Sequence, residues 1–236
     1  SIASYMGRIN YGFDDKYLLT LTGRYDGASQ LAEGNKWAFF PSAAIGWRLS
    51  EESFIQDLGV FNNLKLRVSY GEVGNNASIS PYATQANIFQ TFYDFDGTPS
   101  LGYTINALSN QGIVWERSKE INVGLDFSLS DLPISGTIEY YKRNTEDLIL
   151  DDKVPNSTGF NNVLGNVGEI ENSGIEVSLN SVNVSTGDFR WTSNLTFTAN
   201  DDKVVKLAGG LTEDVGNARF VGESVRAYYT YKFEGI

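Results

Sequence analysis

The stretch Asp94-Phe95-Asp96-Gly97-Thr98 starts like a calcium-binding loop, with two carboxylates ahead of a glycine. Such a loop closes with a bidentate Glu at its twelfth position, and counted from Asp94 that position is Ile105. The calcium hand is excluded. Asp147, Asp151, Asp152, Asp201, Asp202, Glu213 and Asp214 add carboxylates in other segments read as loops. They could gather divalent ions by convergence, but a solvated acidic surface is the simpler reading; no metal is assigned. Paired carboxylates can hydrolyse glycosidic bonds without any His, yet no spacing here singles out a pair.

Other chemistries fall with the composition. The chain has no Cys and no His, which removes Ser-His-Asp and Cys-His catalysis, thiolate or imidazole metal sites and disulfides. Gly71-Glu72-Val73-Gly74-Asn75-Asn76 lacks the Lys-Ser/Thr of a phosphate cradle and opens no helical pattern. No cofactor is expected. A net charge of -11 without a basic patch excludes nucleic acid as a partner. What remains is recognition. The segment 72–118 carries Tyr82, Phe89, Phe92, Tyr93, Phe95 and Tyr103 amid Asn, Gln and Asp, a mixture suited to sugar or peptide contact. Tyr82, Phe92, Tyr93 and Tyr103 are the expected substrate contacts; the competing reading is aromatics packing on one another.

The elements that would position these residues are strands. In 119–143, Ile121, Val123, Leu125, Phe127 and Leu129 alternate with Glu120, Asn122, Gly124, Asp126 and Ser128, and the pattern resumes after Ser130-Asp131-Leu132-Pro133. Alternation recurs at 3–13, 17–26, 38–49, 64–71, 172–180, 189–200 and 224–233, predicting roughly nine strands longer than the five or six residues usual in soluble sheets. Their apolar faces carry no Asp, Glu, Lys or Arg. The connections alternate in length. Those at 14–16, 50–63, 130–133 and 181–188 are short, the second with room for a helical turn, and those at 27–37, 72–118, 144–171 and 201–223 are long. An up-and-down meander with one short-turn rim and one long-loop rim is the plan of an outer-membrane β-barrel. Tyr11, Phe13 and Tyr17 around the first short turn suit an interfacial girdle. No run of 18 apolar residues occurs, and the first residues, SIASYMGRINY, lack the charged start and apolar run of a signal peptide, as expected of a chain that begins after any targeting signal or is an internal piece.

Several stretches also resemble one family, the SusC/RagA-type TonB-dependent transporters of the Bacteroidota outer membrane. They are YMGRINYGFDDKYLLTLTGRYDGAS, WAFFPSAAIGWRLSEESF, LKLRVSYGEVGN, WERSKEINVGLDFSL, YYKRNTEDLIL, NVGEIENSGIEVSLN and DFRWTSNLTFTANDDKVVKL, in that order along nearly the whole chain. The resemblance implies a 22-stranded barrel around a plug, energised through the TonB complex and capped by a SusD-like surface lipoprotein that helps capture glycans or peptides. No plug or TonB-contacting segment is recognisable, so residues 1–236 are expected to be a partial barrel domain, a multi-pass wall lying in the outer-membrane bilayer. On this reading Arg24, Arg48, Arg67, Glu139, Glu176 and Arg190 face the lumen, and no bond-breaking chemistry is expected. The rival folds are a soluble β-sandwich adhesin or carbohydrate-binding module, with the apolar face turned inward, and a carboxylate-pair glycosidase.

Overall fold

The computed structural model describes residues 1–105, 108–230, 232, 233 and 235. Its strands are β1 (Ile2–Phe13), β2 (Tyr17–Ala28), β3 (Trp37–Arg48), β4 (Phe61–Asn75), β5 (Ile88–Phe95), β6 (Thr98–Ile105), β7 (Glu116–Leu129), β8 (Ile134–Lys153), β9 (Asn162–Ser185), β10 (Arg190–Lys206), β11 (Glu213–Asp214) and β12 (Arg219–Phe220), with one short helix, α1 (Ser53–Gln56). Eight of them form a single sheet in the order β1-β2-β3-β4-β7-β8-β9-β10, each antiparallel to the next. This is an up-and-down meander. The β5–β6 hairpin stands apart as a two-stranded sheet.

Register keeps the two faces separate. Leu66, Leu125, Ile138, Val177 and Phe197 form one cross-sheet row, and Arg67, Gly124, Glu139, Glu176 and Thr198 form the next, on the opposite face. The apolar face is bare: Ile9 is 66% exposed, Ile45 59%, Ile121 51% and Phe197 58%. A sandwich would bury those side chains under a second layer, and among the described residues no second layer covers them. From Leu129 to Ile121 the apolar stripe runs ~27 Å along the strand, or ~21 Å across the sheet at ~40° tilt, close to the ~25 Å lipid band of such barrels. At its upper end the same face turns charged. Glu72, Lys119, Asn144, Glu171 and Lys203 occupy one row, with Glu171 bound by Lys142 at 2.9 Å and Lys203 at 2.7 Å. The short-turn end carries stacked rings instead, Phe13 on Tyr17 and Tyr17 on Trp47. The fold is therefore an open segment of a transmembrane β-barrel wall.

Three expectations need correction. The sheet has eight strands rather than nine, because residues 224–230 form no ladder. Asp202 accepts hydrogen bonds from the Ser224 hydroxyl and, at 2.8 Å, the Val225 N–H, and Ala227 N–H donates back to the Ser224 carbonyl. Local side-chain bonds have closed a turn there in place of sheet pairing; Tyr231 of that segment lies outside the described residues. Secondly, 144–171 is mostly strand, with β8 and β9 paired out to Lys153 and Asn162 across irregularities between Thr145 and Ile149. Beyond the lipid band neither face must be apolar, so alternation fades while pairing persists. Thirdly, the 72–118 connection contains the β5–β6 hairpin. Asp96 and Gly97 both take positive φ, 52° and 76°, and form its two-residue turn; the calcium-like motif is a hairpin turn. The helical turn expected in 50–63 is present as α1.

On the apolar face, Leu125→Arg is expected to cost ~2–4 kcal/mol in a full-length barrel refolded into vesicles, whereas Asn122→Lys on the polar face changes stability by less than ~1 kcal/mol; denaturant titration of both variants measures this.

Candidate functional site

The polar face holds its charges in a network built around Arg67. Its Nε and Nη2 donate to Asp126 at 2.8 and 2.9 Å, and Nη2 also reaches Glu139 at 2.5 Å. Gly124 stands between Arg67 and Glu139 in the row, and a Cβ there would lie 2.9 Å from Nη2. The missing side chain lets the guanidinium cross β7. Glu176 lies directly opposite Glu139 on β9. Glu120 on β7 takes a 2.7 Å bond from Arg143 Nε on β8. Arg24 bonds Asp26 on its own strand at 2.6 Å. Arg48 donates to the Asp15 carbonyl at the short-turn rim, and Arg190 begins β10 at that same rim. Thus Arg67, Glu139 and Glu176 come together, while Arg24, Arg48 and Arg190 stand apart.

At the long-loop rim the chain folds back over the polar face. Asp26, Ala28, Ala38 and Phe40, all on that face, are 3%, 1%, 8% and 3% exposed, whereas Tyr25, Trp37 and Phe39 on the other face are 46%, 41% and 53% exposed. Leu31, Ile79, Ile113, Trp115 and Ile149 complete the buried cluster. Pro41 explains the opening they fill. Lacking an N–H, it stands where β3 parts from β4, whose pairing stops at Ser42 and Gly71 while β2–β3 pairing runs on to Trp37. Phe40 fills the gap, its ring so close to Gly74 that a Cβ would lie 2.1 Å away, with Arg117 5.4 Å from the ring centroid.

Glu116, 5% exposed, is the polar hub of this platform. It accepts from Asn75 Nδ2 at 2.6 Å, Ser78 Oγ at 2.9 Å and the Ile149 N–H at 3.0 Å, tying three segments together with neutral donors. Trp115 Nε1 donates to the Lys36 carbonyl, and Asn166 links the Val114 and Asp147 backbones. Sequence reading missed these residues. The signal available was Trp-Glu standing directly before the alternating run at 117–129.

The four aromatics expected at substrate lie in two places. Tyr82 is 65% exposed in the loop over the platform, at φ 69°. Phe92 and Tyr103 lie on one hairpin face with Ile88, Leu101 and Ile105, all widely exposed. Tyr93 is on the other face and covers Gly102, where a Cβ would sit 2.2 Å from its ring, so this one packs within the hairpin. Among the described residues no group of three or more Asp and Glu converges as a metal site.

The geometry defines a class, the wall of a membrane β-barrel with a polar inner face and a structured outer rim. Residues 1–233 match the family described as TonB dependent receptor-like, beta-barrel. The chain is 42% identical over 99% of its length to TonB-dependent receptor P26 of Formosa agariphila, covering 24% of that protein. It is 34% identical over 98% of its length to TonB-dependent receptor SusC of Bacteroides thetaiotaomicron, covering 25% of it. The RagAB peptide importer in its open-open state is similar in structure, with TM-score 0.84 and 28% identity over 94% of this chain and 24% of that one. The chain belongs to the TonB-dependent receptor β-barrel family, and within it to the SusC/RagA type. It spans about a quarter of the length of the relatives it matches.

Substitutions at Glu116 and Glu52 test the two rims. Glu116→Ala leaves three buried donors unpaired at ~1–3 kcal/mol for each group, and is expected to speed amide hydrogen exchange across 75–86 and 147–150, with Glu116→Gln retaining part of the protection. At the opposite rim, hydrogen bonds from the Trp47 indole and the Tyr17 phenol, with Lys16 nearby, hold the Glu52 carboxyl below the usual carboxylate range. A lowered folded pKa gives stability present above the unfolded value of about 4.3 and lost as pH falls through the folded one. Glu52→Gln should therefore lower the melting temperature of the full-length barrel at pH 7, and the gap should close below about pH 4.

Proposed function

We propose that this chain forms part of the outer-membrane barrel of a TonB-dependent importer that takes up glycans or peptides together with a SusD-like surface lipoprotein. The observation that carries this reading is the bare apolar face of a one-layer sheet whose opposite face is charged and internally paired. In lipid such a wall holds hydrocarbon outside and water inside. Arg24, Arg48, Arg67, Glu139, Glu176 and Arg190 then line the aqueous chamber, where Arg67 and Glu139 serve as a cross-strand pair that stiffens the wall rather than as transport ligands. The loop platform and the β5–β6 hairpin form the outer vestibule, where substrate and lipoprotein meet. Energy coupling belongs to a plug and TonB-contacting segment elsewhere in the polypeptide. Nothing in the site calls for bond breaking, and the named relatives are TonB-dependent receptors.

Deletion of the full-length gene should abolish growth on one glycan or peptide source, and inactivating TonB should have the same effect, with the protein found in the outer-membrane fraction beside a co-purifying lipoprotein. Release into plain buffer as a stable monomer, or uptake indifferent to TonB, would overturn the reading.

A further inference from the structure

The platform carries a cavity of about 670 Å³ whose walls include Gln30, Glu33, Lys36, Tyr82, Gln85 and Gln111. It lies between the 29–36 loop and the 81–85 turn. Both cover the polar-face end of β2 and β3, so the cavity sits at the mouth of the chamber assigned above. Its walls are cross-tied. Gln30 Nε2 donates to the Ile79 carbonyl and Gln30 Oε1 accepts from Asn76, Thr84 Oγ1 donates to the Gln30 carbonyl, and Asn35 Nδ2 donates to the Gln111 carbonyl. These bonds occupy the wall's own polar groups. Among the described residues the side-chain amides of Gln85 and Gln111 have no hydrogen-bond partner, which leaves donors and acceptors for a guest.

Tyr82 adds a second observation. A bulky non-glycine residue at φ 69° is a backbone outlier, and Tyr82 sits in an otherwise cross-tied loop, lines the cavity and is 65% exposed. Strain of this kind is retained where the surroundings enforce it, and it collects at ligand clamps. We propose that this cavity is a binding subsite for an uncharged glycan, with a sugar ring stacked on Tyr82 and its hydroxyls bonded by Gln85 and Gln111. This rests on the importer reading and names its substrate class. Carboxamides both donate and accept, as sugar hydroxyls do. Glu33 and Lys36 bring one charge of each sign, and a chain of net charge -11 repels polyanions. A peptide would seek a free strand edge or an apolar pocket, and the cavity, walled by loops whose backbone groups are cross-tied, offers neither. Its volume falls within the ~300–1,000 Å³ of small-ligand sites, room for a short run of sugar rings.

The test uses the full-length importer in detergent, applied to an array of neutral, uronate-bearing and sulfated oligosaccharides and to casein-derived peptides. Neutral oligosaccharides should bind, Tyr82→Phe should keep the affinity, and Tyr82→Gly, which relieves the positive φ and removes the ring, should weaken it about tenfold. Gln85→Leu with Gln111→Leu should weaken it further, while the slow gel mobility gained on heating shows that every variant is folded beforehand. Binding of peptides or anionic glycans alone, neutral binding unchanged in these variants, or no binding on the array each overturns the proposal. Those results leave the importer reading standing if TonB-dependent uptake persists in the parent cells; loss of that reading shows instead as a wild-type protein outside the outer membrane.

Discussion

Hydrocarbon offers a peptide group no hydrogen-bond partner, and most of this architecture follows from that. Every N–H and C=O within the lipid band has to find its partner in the sheet, so the ladder from β1 to β10 runs antiparallel and unbroken through the apolar rows. Irregularities are kept to the rims. The β8–β9 shifts fall between Thr145 and Ile149 beyond the lipid band, the β4–β7 shift falls at Phe61 to Asn63, and the β9–β10 shifts fall at Trp191/Thr192 and Val204/Lys206. Pro41 obeys the same constraint from the other side. A residue without an N–H is tolerated where β3 has stopped pairing with β4, and the loops use the resulting gap as the seat of their buried cluster.

Because the apolar face points away from the protein, the usual site of a hydrophobic core moves. The described chain buries its apolar cluster at the outer end of the polar face, under loops, where Phe40, Trp115, Ile79 and Ile113 do the work a soluble domain would assign to the sheet's apolar side. Below it, charges replace the core as the source of cross-strand order. Arg67 spans three strands through the space left by Gly124, linking β4 to Asp126 on β7 and Glu139 on β8. The wall is held by this charge network, and the loops above it are tied together through Glu116.

The sequence made the wall legible because two environments impose strict period-2 selection. Ile121 to Leu129 had to face one way and Glu120 to Ser128 the other, so strand identity, register and the order of short and long connections could be read directly. Above the lipid band both faces meet water or protein, the selection relaxes, and β8 and β9 continue through 144–171 without an alternating signature. The opposite error arose at 224–230, where alternation is present but Asp202 captures the backbone in a turn. Of the expected contacts, Tyr82, Phe92, Tyr93 and Tyr103 are all exposed, Tyr93 with its ring over Gly102. The hub at Glu116 was hidden because a carboxylate satisfied by Asn75, Ser78 and a backbone N–H leaves no charge partner in the sequence to reveal it.

The central claim is that the apolar face meets lipid and the charged face meets water. The chain contains no Cys, so single substitutions Ile121→Cys through Phe127→Cys in a cysteine-free full-length protein, held in outer-membrane vesicles, can report it residue by residue. A charged maleimide is expected to modify the variants at Asn122 and Asp126, while a lipid-dissolved nitroxide quenches probes placed at Ile121, Val123, Leu125 and Phe127. The reverse pattern, or equal aqueous labelling at all positions, would contradict it.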